Sequence, residues 1–124
     1  MPAPAPSGAA TDILRGTLDL LVLKALSWGP THGYGVARWI EWASGDVLQV
    51  GEGSLYPALH RLEERGWVGA EWGVSENNRR AKFYALTRRG REQLRAEDAT
   101  WRRFASAVFS ALDAPTLPAP TLPA

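Results

Sequence analysis

The side chains best suited to chemistry in this sequence are positively charged and lie close together, between positions 79 and 95. Seven of the chain's 14 lysines and arginines fall there, against one acid, Glu92. Such groups bind phosphate through charge-assisted hydrogen bonds, which suits nucleic acid, although a solvated helix face has the same composition. Enzymatic chemistry has no comparable support, because the sequence shows no nucleophile beside a base, no paired carboxylates and no phosphate-binding loop.

A second group of candidate binding residues precedes this run, in the stretch GEGSLYPALHRLEERGW at positions 51–67. Three leucines with helical spacing predict a helix with one buried stripe, ended by a glycine at position 66. Ser54 as N-cap would place Pro57 in the first turn, where an N–H has no intrahelical partner. The alternative is an earlier start near Gly51, which would place Pro57 deeper in the helix and bend it. The side chains off the stripe that we expect to contact a ligand are Ser54, Tyr56, Pro57, His60 and Arg61. A lone tyrosine or histidine can also be structural.

The surrounding pattern predicts the elements that position these side chains. Helices are expected at about residues 11–28 and 33–44, with Thr11 or Asp12 capping the first and Thr31 the second. Residues 46–50 are expected to be extended. Residues 67–75 alternate in polarity, with Val68, Ala70, Trp72 and Val74 on a half-buried side, and SENN then turns the chain into a second strand at 79–86. Thr87 is expected to cap a last helix that ends near residue 112.

Three helices followed by a β-hairpin form the plan of a winged helix-turn-helix, so the predicted fold class is mainly α. In that plan the third helix enters the DNA major groove, and the hairpin, or wing, lies on the backbone. Arg79, Arg80 and Lys82 would then contact phosphates, and affinity should fall with salt. The alternative is a winged helix that docks on an acidic protein partner. A salt titration with duplex DNA separates the two functions.

The first helix carries more apolar surface than one buried face needs. Its main stripe consists of Leu14, Leu18, Leu21, Val22 and Ala25, and three further apolar residues lie off that stripe, namely Ile13, Leu20 and Leu23. A surface helix of a small domain is normally apolar on one side. We therefore expect a second subunit to cover the other side.

Composition bounds the remaining possibilities. Residues 1–10 and 114–124 are rich in proline and alanine and are expected to be disordered tails around a winged-helix domain at 11–86 and a C-terminal helix at 87–113. The chain has no cysteine and two histidines, so neither a metal nor another cofactor is expected. Its apolar runs are too short for a membrane span and its start does not resemble a secretory signal, so we expect a cytoplasmic protein.

The motifs SLYPALHRLEERGWV and RRAKFYALTRRG together resemble the PadR family of bacterial transcriptional regulators, as do LRGTLDLLVLKAL and HGYG nearer the start. The resemblance covers about residues 12–112. It implies homodimeric repressors that bind double-stranded DNA and dimerise by packing the last helix on the partner's first helix. The two-sided apolar pattern of the first helix agrees with that implication.

The single C-terminal helix resembles the small branch of this family, some members of which bind planar aromatic compounds between tryptophans at the dimer interface. The resemblance therefore makes Trp101 a candidate effector contact, although a tryptophan at helical spacing can also simply fill an interface. The candidate effector-binding residues are Trp101, Phe104 and Leu18. The residues expected at the dimer interface are Ile13, Leu20, Leu23, Leu94, Trp101, Ala105, Val108 and Leu112.

Overall fold

The computed structural model describes the backbone of residues 8–118 and the side chains of residues 16–118. Four helices and three short strands follow one another within residues 8–118. They are α1 (Gly8–Leu26), β1 (Thr31–His32), α2 (Gly33–Ala43), α3 (Glu52–Glu64), β2 (Val68–Val74), β3 (Arg80–Leu86) and α4 (Arg88–Asp113). The predicted fold class is confirmed: three helices are followed by a hairpin wing and a long last helix. Residues 46–50, expected to be extended, form no strand.

The core lies where α1, α2 and α3 meet the base of the hairpin. Its largest fully buried side chains come from all three helices and from β2, and are Val22, Leu23, Leu26, Val36, Ile40, Leu59, Leu62 and Val68. Leu23 is completely buried, so its assignment to a dimer interface is wrong. The reason is that α2, α3 and β3 all pack against α1 and cover both sides of its C-terminal half within one chain.

The first helix also begins earlier than predicted, at Gly8 rather than near residue 11, so Thr11 and Asp12 lie inside it. Residues 8–10, which were expected to belong to the N-terminal tail, are therefore part of α1. Residues 1–7 lie outside the described part of the chain, as do residues 119–124 of the expected C-terminal tail and the side chains of Ile13 and Leu14. Residues 114–118 are exposed and have no regular secondary structure.

The N-cap of α2 is His32 and not Thr31. The Nδ1 atom of His32 accepts a hydrogen bond from the backbone N–H of Gly35 at 3.0 Å. Thr31 is held instead in β1, opposite Tyr84 of β3, which makes the wing part of a three-stranded sheet with the order β1-β3-β2. The backbone position of Thr31 is therefore set by the strand pairing, which sequence periodicity does not reveal for a two-residue strand.

The start of α3 differs from the prediction as well. Its N-cap is Gly51, whose carbonyl accepts from the N–H of Leu55 at 3.0 Å, so Ser54 lies inside the first turn. Pro57 consequently falls in the second turn and leaves the carbonyl of Gly53 without its usual intrahelical donor. Gly53 has no side chain and open space around it, so the proline is accommodated on an exposed side of the helix.

The hairpin has the predicted strands and turn. Its register runs from Val68 opposite Leu86 to Val74 opposite Arg80, and Asn78 takes the left-handed conformation that the turn needs, with φ of 57°. Burial is confined to the base of the hairpin, because the distal half projects beyond the core. Trp72 and Val74, expected on the half-buried side, are therefore exposed.

The start of α4 is fixed against the link between α3 and β2. Thr87 caps the helix as predicted: its hydroxyl accepts from the Gly90 N–H at 3.0 Å and donates to the Gly66 carbonyl at 2.7 Å. A side chain at Gly90 would collide with the carbonyl oxygen of Trp67. The helix then runs along α1, and most of its second half is exposed to solvent.

Candidate nucleic-acid interface

The outer surface of α3 carries most of the predicted contact residues. Leu55, Ala58, Leu59 and Leu62 face the core and hold the helix in place. On the solvent side, Ser54, Tyr56, Pro57 and His60 are all exposed. The structure therefore brings these four predicted residues together on one accessible helix surface.

Tyr56 lies on the flank of α3 that faces α2. A β-carbon built at Gly33 would lie 3.0 Å from Cε1 and 3.1 Å from the hydroxyl oxygen of Tyr56, so the ring rests on the first residue of α2. It remains 46% exposed. The glycine lets the ring lie close to α2 without covering it.

His60 is near the middle of the exposed side of α3, one turn before Glu64. Its Nε2 atom is 3.1 Å from a carboxylate oxygen of Glu64, and both side chains are largely exposed. A carboxylate on this side repels phosphate, so Glu64 makes the C-terminal part of this side less favourable for the approach of a nucleic-acid backbone.

Arg61 does not belong to the exposed group. The prediction that it contacts DNA is wrong, because its side chain is paired with another residue of the same chain. Its Nη2 atom donates to Asp19 Oδ1 of α1 at 2.7 Å, and its side chain is 28% exposed. Arg61 follows Pro57 by one helical turn, but it lies on the flank of α3 that packs against α1. Spacing alone places it off the leucine stripe without showing which neighbour covers that flank.

The wing presents two exposed arginines at its distal end. Arg79 and Arg80 are both exposed, and the guanidinium of Arg80 lies 4.6 Å from the ring centroid of Trp72. An aromatic face attracts a guanidinium and restricts its orientations. Trp72 is not among the predicted site residues. The hairpin register explains why Trp72 and Arg80 meet. Trp72 stands opposite Lys82, and Arg80 lies two residues before Lys82. Arg80 is therefore the diagonal neighbour of Trp72 on the same side of the sheet.

Lys82 is less available for contact with phosphate than Arg79 and Arg80 are. Its Nζ atom is 3.2 Å from Glu63 Oε1 of α3 and its side chain is 35% exposed, so much of its charge is already compensated. The ammonium also lies 5.6 Å from the ring of Tyr84. Burial raises the pKa of Tyr84 above its ordinary value, although the Lys82 charge opposes this. Lys82 thus ties the wing to α3 as well as adding positive charge.

A groove of about 650 Å³, here called the wing groove, separates the hairpin from the start of α2 and α3. Its lining combines basic and aromatic side chains, among them His32, Tyr34, Tyr56, Trp72, Arg79, Arg80 and Lys82. Tyr34 is 66% exposed, and it is a second aromatic residue that the sequence does not single out as a contact. The groove offers hydroxyl, guanidinium and ammonium donors, the groups that bind phosphate oxygens. It also contains one carboxylate, that of Glu76, which lies 3.8 Å from His32 Nε2.

A second groove of about 1,040 Å³, the α1–α4 groove, lies between the first and last helices. Trp101 is part of its wall, and its Nε1–H donates to Thr17 Oγ1 at 3.2 Å. Phe104 and Leu18 are not part of that wall: Phe104 is exposed elsewhere on α4, and Leu18 packs against the core. The predicted effector residues are therefore not brought together within one chain.

The remaining residues predicted for dimerisation divide between this groove and open solvent. Leu20, Leu94 and Ala105 line the α1–α4 groove. Val108 and Leu112 lie on an exposed face of α4. The single chain thus leaves much of this apolar surface uncovered.

Together, the core of three helices, the hairpin packed beside α3 and the exposed side of that helix define a winged helix-turn-helix of the DNA-binding type. A model of the transcriptional regulator PadR-like family matches residues 22–96. The chain belongs to the PadR-like family of transcriptional regulators, a family of DNA-binding regulators and not of enzymes.

Solved structures of other regulators have the same fold. A PadR family transcriptional regulator from Eggerthella lenta is 28% identical, with a TM-score of 0.71 over 86% of this chain and 91% of its own. A PadR-like transcription factor from Bacteroides fragilis is 26% identical, with a TM-score of 0.68 over 85% of this chain and 99% of its own. A transcriptional regulator from Clostridium thermocellum is 25% identical, with a TM-score of 0.72 over 80% of this chain and 96% of its own.

Two further proteins are similar to this chain in sequence. A 37.1 kDa protein of transposon TN4556 from Streptomyces fradiae is 43% identical over 91 residues, which are 73% of this chain and 25% of that protein. This chain therefore corresponds to about a quarter of that relative. A protein from Lysinibacillus sphaericus, named protein X, is 29% identical over 68% of this chain and 77% of its own.

Among residues 8–118, no helix has the length and apolar character needed to cross a bilayer.

Proposed function

We propose that this protein is a sequence-specific transcriptional repressor that binds a pseudo-palindromic operator as a homodimer. In this proposal α3 is the reading helix: Ser54, Tyr56, Pro57 and His60 approach the bases of the major groove. Arg79 and Arg80 of the wing bind the adjacent backbone, with Lys82 behind them. A regulator of this kind works where the DNA is, which supports a location in the cytoplasm.

The observation that carries the proposal is the position of the wing arginines relative to α3. Arg80, Tyr34 and Tyr56 all line the wing groove, so phosphate-binding groups stand immediately beside an exposed helix. Phosphate contacts fix the orientation of a protein on a duplex, and side chains in the major groove then read the sequence. The repressor role is supported by the family resemblance.

The exposed face of α4 supports the homodimer. Phe104, Val108, Phe109 and Leu112 are between 40% and 74% exposed, and an apolar helix face of this kind favours burial against a partner. A second copy offers the same face and, from the family resemblance, its first helix. Two-fold symmetry then predicts two half-sites about 34 Å apart along one face of the duplex.

Selection of bound duplexes from a random pool tests DNA binding and symmetry together. The expected product is a palindromic sequence, and its affinity should fall steeply between about 50 and 200 mM salt, as for proteins that make about six to ten phosphate contacts. Recovery of no preferred sequence, together with an affinity for DNA that does not change with salt, would instead favour the protein-docking alternative.

Replacement of Tyr56 tests the surface of the reading helix. Tyr56→Phe removes the hydroxyl and keeps the ring against Gly33, so we expect operator affinity to fall about tenfold per subunit and about 100-fold for the dimer, the effect of one lost hydrogen bond of about 1.4 kcal/mol in each subunit. Fluorescence anisotropy with a labelled operator measures it. Thr100→Val is the control, because it removes an exposed hydroxyl from α4, away from the wing groove, and it should leave operator affinity unchanged. A Tyr56→Phe variant that dissociates into monomers would show a structural role.

We also propose that the dimer binds a small planar aromatic compound beside Trp101. The α1–α4 groove is lined mainly by apolar surface, with charged side chains of Lys24, Asp98, Arg102 and Asp113 also in its lining. Trp101 is held there by its hydrogen bond to Thr17, so its indole is oriented for offset stacking. By the family resemblance, ligand binding would shift the dimer towards a state in which the reading helices no longer match the operator.

Trp101→Phe is the test of this ligand site. Planar aromatic dyes should quench the tryptophan fluorescence of the parent protein with saturation, and the variant should lose the saturable part. The exposed residues Trp28, Trp42 and Trp72 remain and provide the background that does not saturate. Saturable quenching that survives in the variant, or that is absent from the parent, would contradict the proposed site.

A further inference from the structure

The ion pair between Asp19 and Arg61 joins α1 to α3 at the edge of the exposed surface of α3. The two residues are 42 positions apart in sequence, and their Oδ1 and Nη2 atoms are 2.7 Å apart. Their side chains are only 16% and 28% exposed. The contact is therefore long-range, short and largely withdrawn from solvent.

A contact of this kind fixes geometry more than it adds stability. Desolvation of two charges offsets most of their attraction, so a partly buried pair is weak evidence for a stabilising role. Its hydrogen bond is directional, whereas the apolar contacts between α1 and α3 are not. Arg61 Nε is also buried and, within the described part of the chain, has no hydrogen-bond partner, so the position of the guanidinium depends on Asp19.

The pair also lies beside the exposed surface of α3, where it can affect the orientation of that helix. Arg61 is one turn from Pro57 and, by helical geometry, on the same flank as Ser54, and both of these residues belong to the exposed surface. On α1, Asp19 follows Thr17 by two residues, about 200° around the helix, and Thr17 accepts the hydrogen bond from Trp101 of α4. The α1 helix is thus bound to α4 on one side and to α3 on the other.

We propose that Asp19 and Arg61 are positioning residues for DNA recognition, which rests on the proposed function of α3 as the reading helix. They hold α3 at one angle to α1, so that its exposed side chains meet the operator bases in register. Neither residue contacts DNA. Arg61, whose spacing suggested a base contact, acts on recognition through Asp19.

The test uses Arg61→Met, which keeps much of the side-chain volume without charge, Asp19→Asn, and both together. Each single variant should lose about tenfold in the ratio of operator affinity to affinity for an unrelated duplex, and the double variant should lose no more, because either change breaks the same contact. The salt dependence should be unchanged, since no phosphate contact is lost. Glu92→Gln, which breaks the exposed Arg88–Glu92 pair of α4, is the matched control and should change neither value.

Two results would overturn the proposal. If Arg61→Met weakens binding to all duplexes equally and lowers the salt slope of the dimer by about two while Asp19→Asn binds more tightly, then Arg61 is a phosphate contact. If the variants have a lower melting temperature but bind the operator like the parent below it, then the pair is merely structural.

A measurement without DNA separates this inference from the proposed function. Because the chain has no cysteine, Glu64→Cys and Ala99→Cys provide two unique spin-label positions on α3 and α4, with labelled subunits diluted in unlabelled protein. Breaking the ion pair should broaden the distance distribution between the labels. A distribution unchanged by Arg61→Met would refute the positioning role, whereas a broadened one in a protein that binds no duplex would refute the proposed function alone.

Discussion

The Arg79→Ala, Arg80→Ala double variant is expected to lose about 100-fold in affinity per subunit, and therefore about 10,000-fold for the dimer, with every duplex, whatever its sequence. Both side chains are exposed at the end of the wing, and two charge-assisted contacts of about 1.5 kcal/mol each account for a loss of this size per subunit. Because each lost phosphate contact lowers the salt slope by about 0.9, a dimer that loses four should show a slope smaller by about 3 to 4. Anisotropy titrations at several salt concentrations measure both quantities.

Arg88→Ala, Arg91→Ala is the matched control for the wing variant. It removes the same charge from the same basic run, but from the start of α4, which follows the opposite end of β3 from the wing turn. Its salt slope should stay close to that of the parent. Equal slopes for the two double variants would mean that net charge, and not the wing, determines the affinity.

Val108→Asp is expected to convert the protein into monomers and to reduce operator affinity at least about 100-fold, the scale on which linking two binding units raises affinity. Val108 lies on the exposed apolar face of α4, where a buried, unpaired carboxylate would oppose association. Analytical ultracentrifugation at micromolar concentration gives the assembly state, and anisotropy with a two-half-site duplex gives the affinity. Circular dichroism should show that the helix content is retained.

Ala99→Asp introduces the same charge on the same helix as a control. Position 99 is exposed and nine residues from Val108, about two and a half turns, so it lies on the opposite side of α4. This variant should stay dimeric and bind the operator like the parent. A dimeric Val108→Asp variant with full affinity would show that this face of α4 does not form the interface.

The elements with strong local signals are predictable from the sequence. The turn residues between alternating strands predict the hairpin, and Thr87 is identifiable as the cap of α4, because in both places the side chains that satisfy the backbone are neighbours in sequence. The order of elements is enough to assign the winged-helix class. The exposed positions of Ser54, Tyr56, Pro57 and His60 follow from the spacing of the leucines between them.

Features with two locally acceptable solutions are not predictable. Ser54 and Gly51 are both reasonable N-caps for α3, and a proline is tolerated with either, so the choice depends on how the preceding loop enters the fold. Similarly, Thr31 is a good capping residue in isolation. It is drawn into β1 by pairing with Tyr84, far later in the chain, and His32 takes the cap.

The sequence by itself determined which side chains lie off each buried stripe, because helical and strand periods depend on local geometry alone. What covers those side chains was decided by the tertiary structure. Leu23 lies off its stripe and is buried by the chain's own helices, Arg61 is paired with Asp19, and Trp72 is exposed beneath Arg80. The physical reason is that burial and charge pairing depend on distances between residues far apart in sequence, which periodicity does not contain.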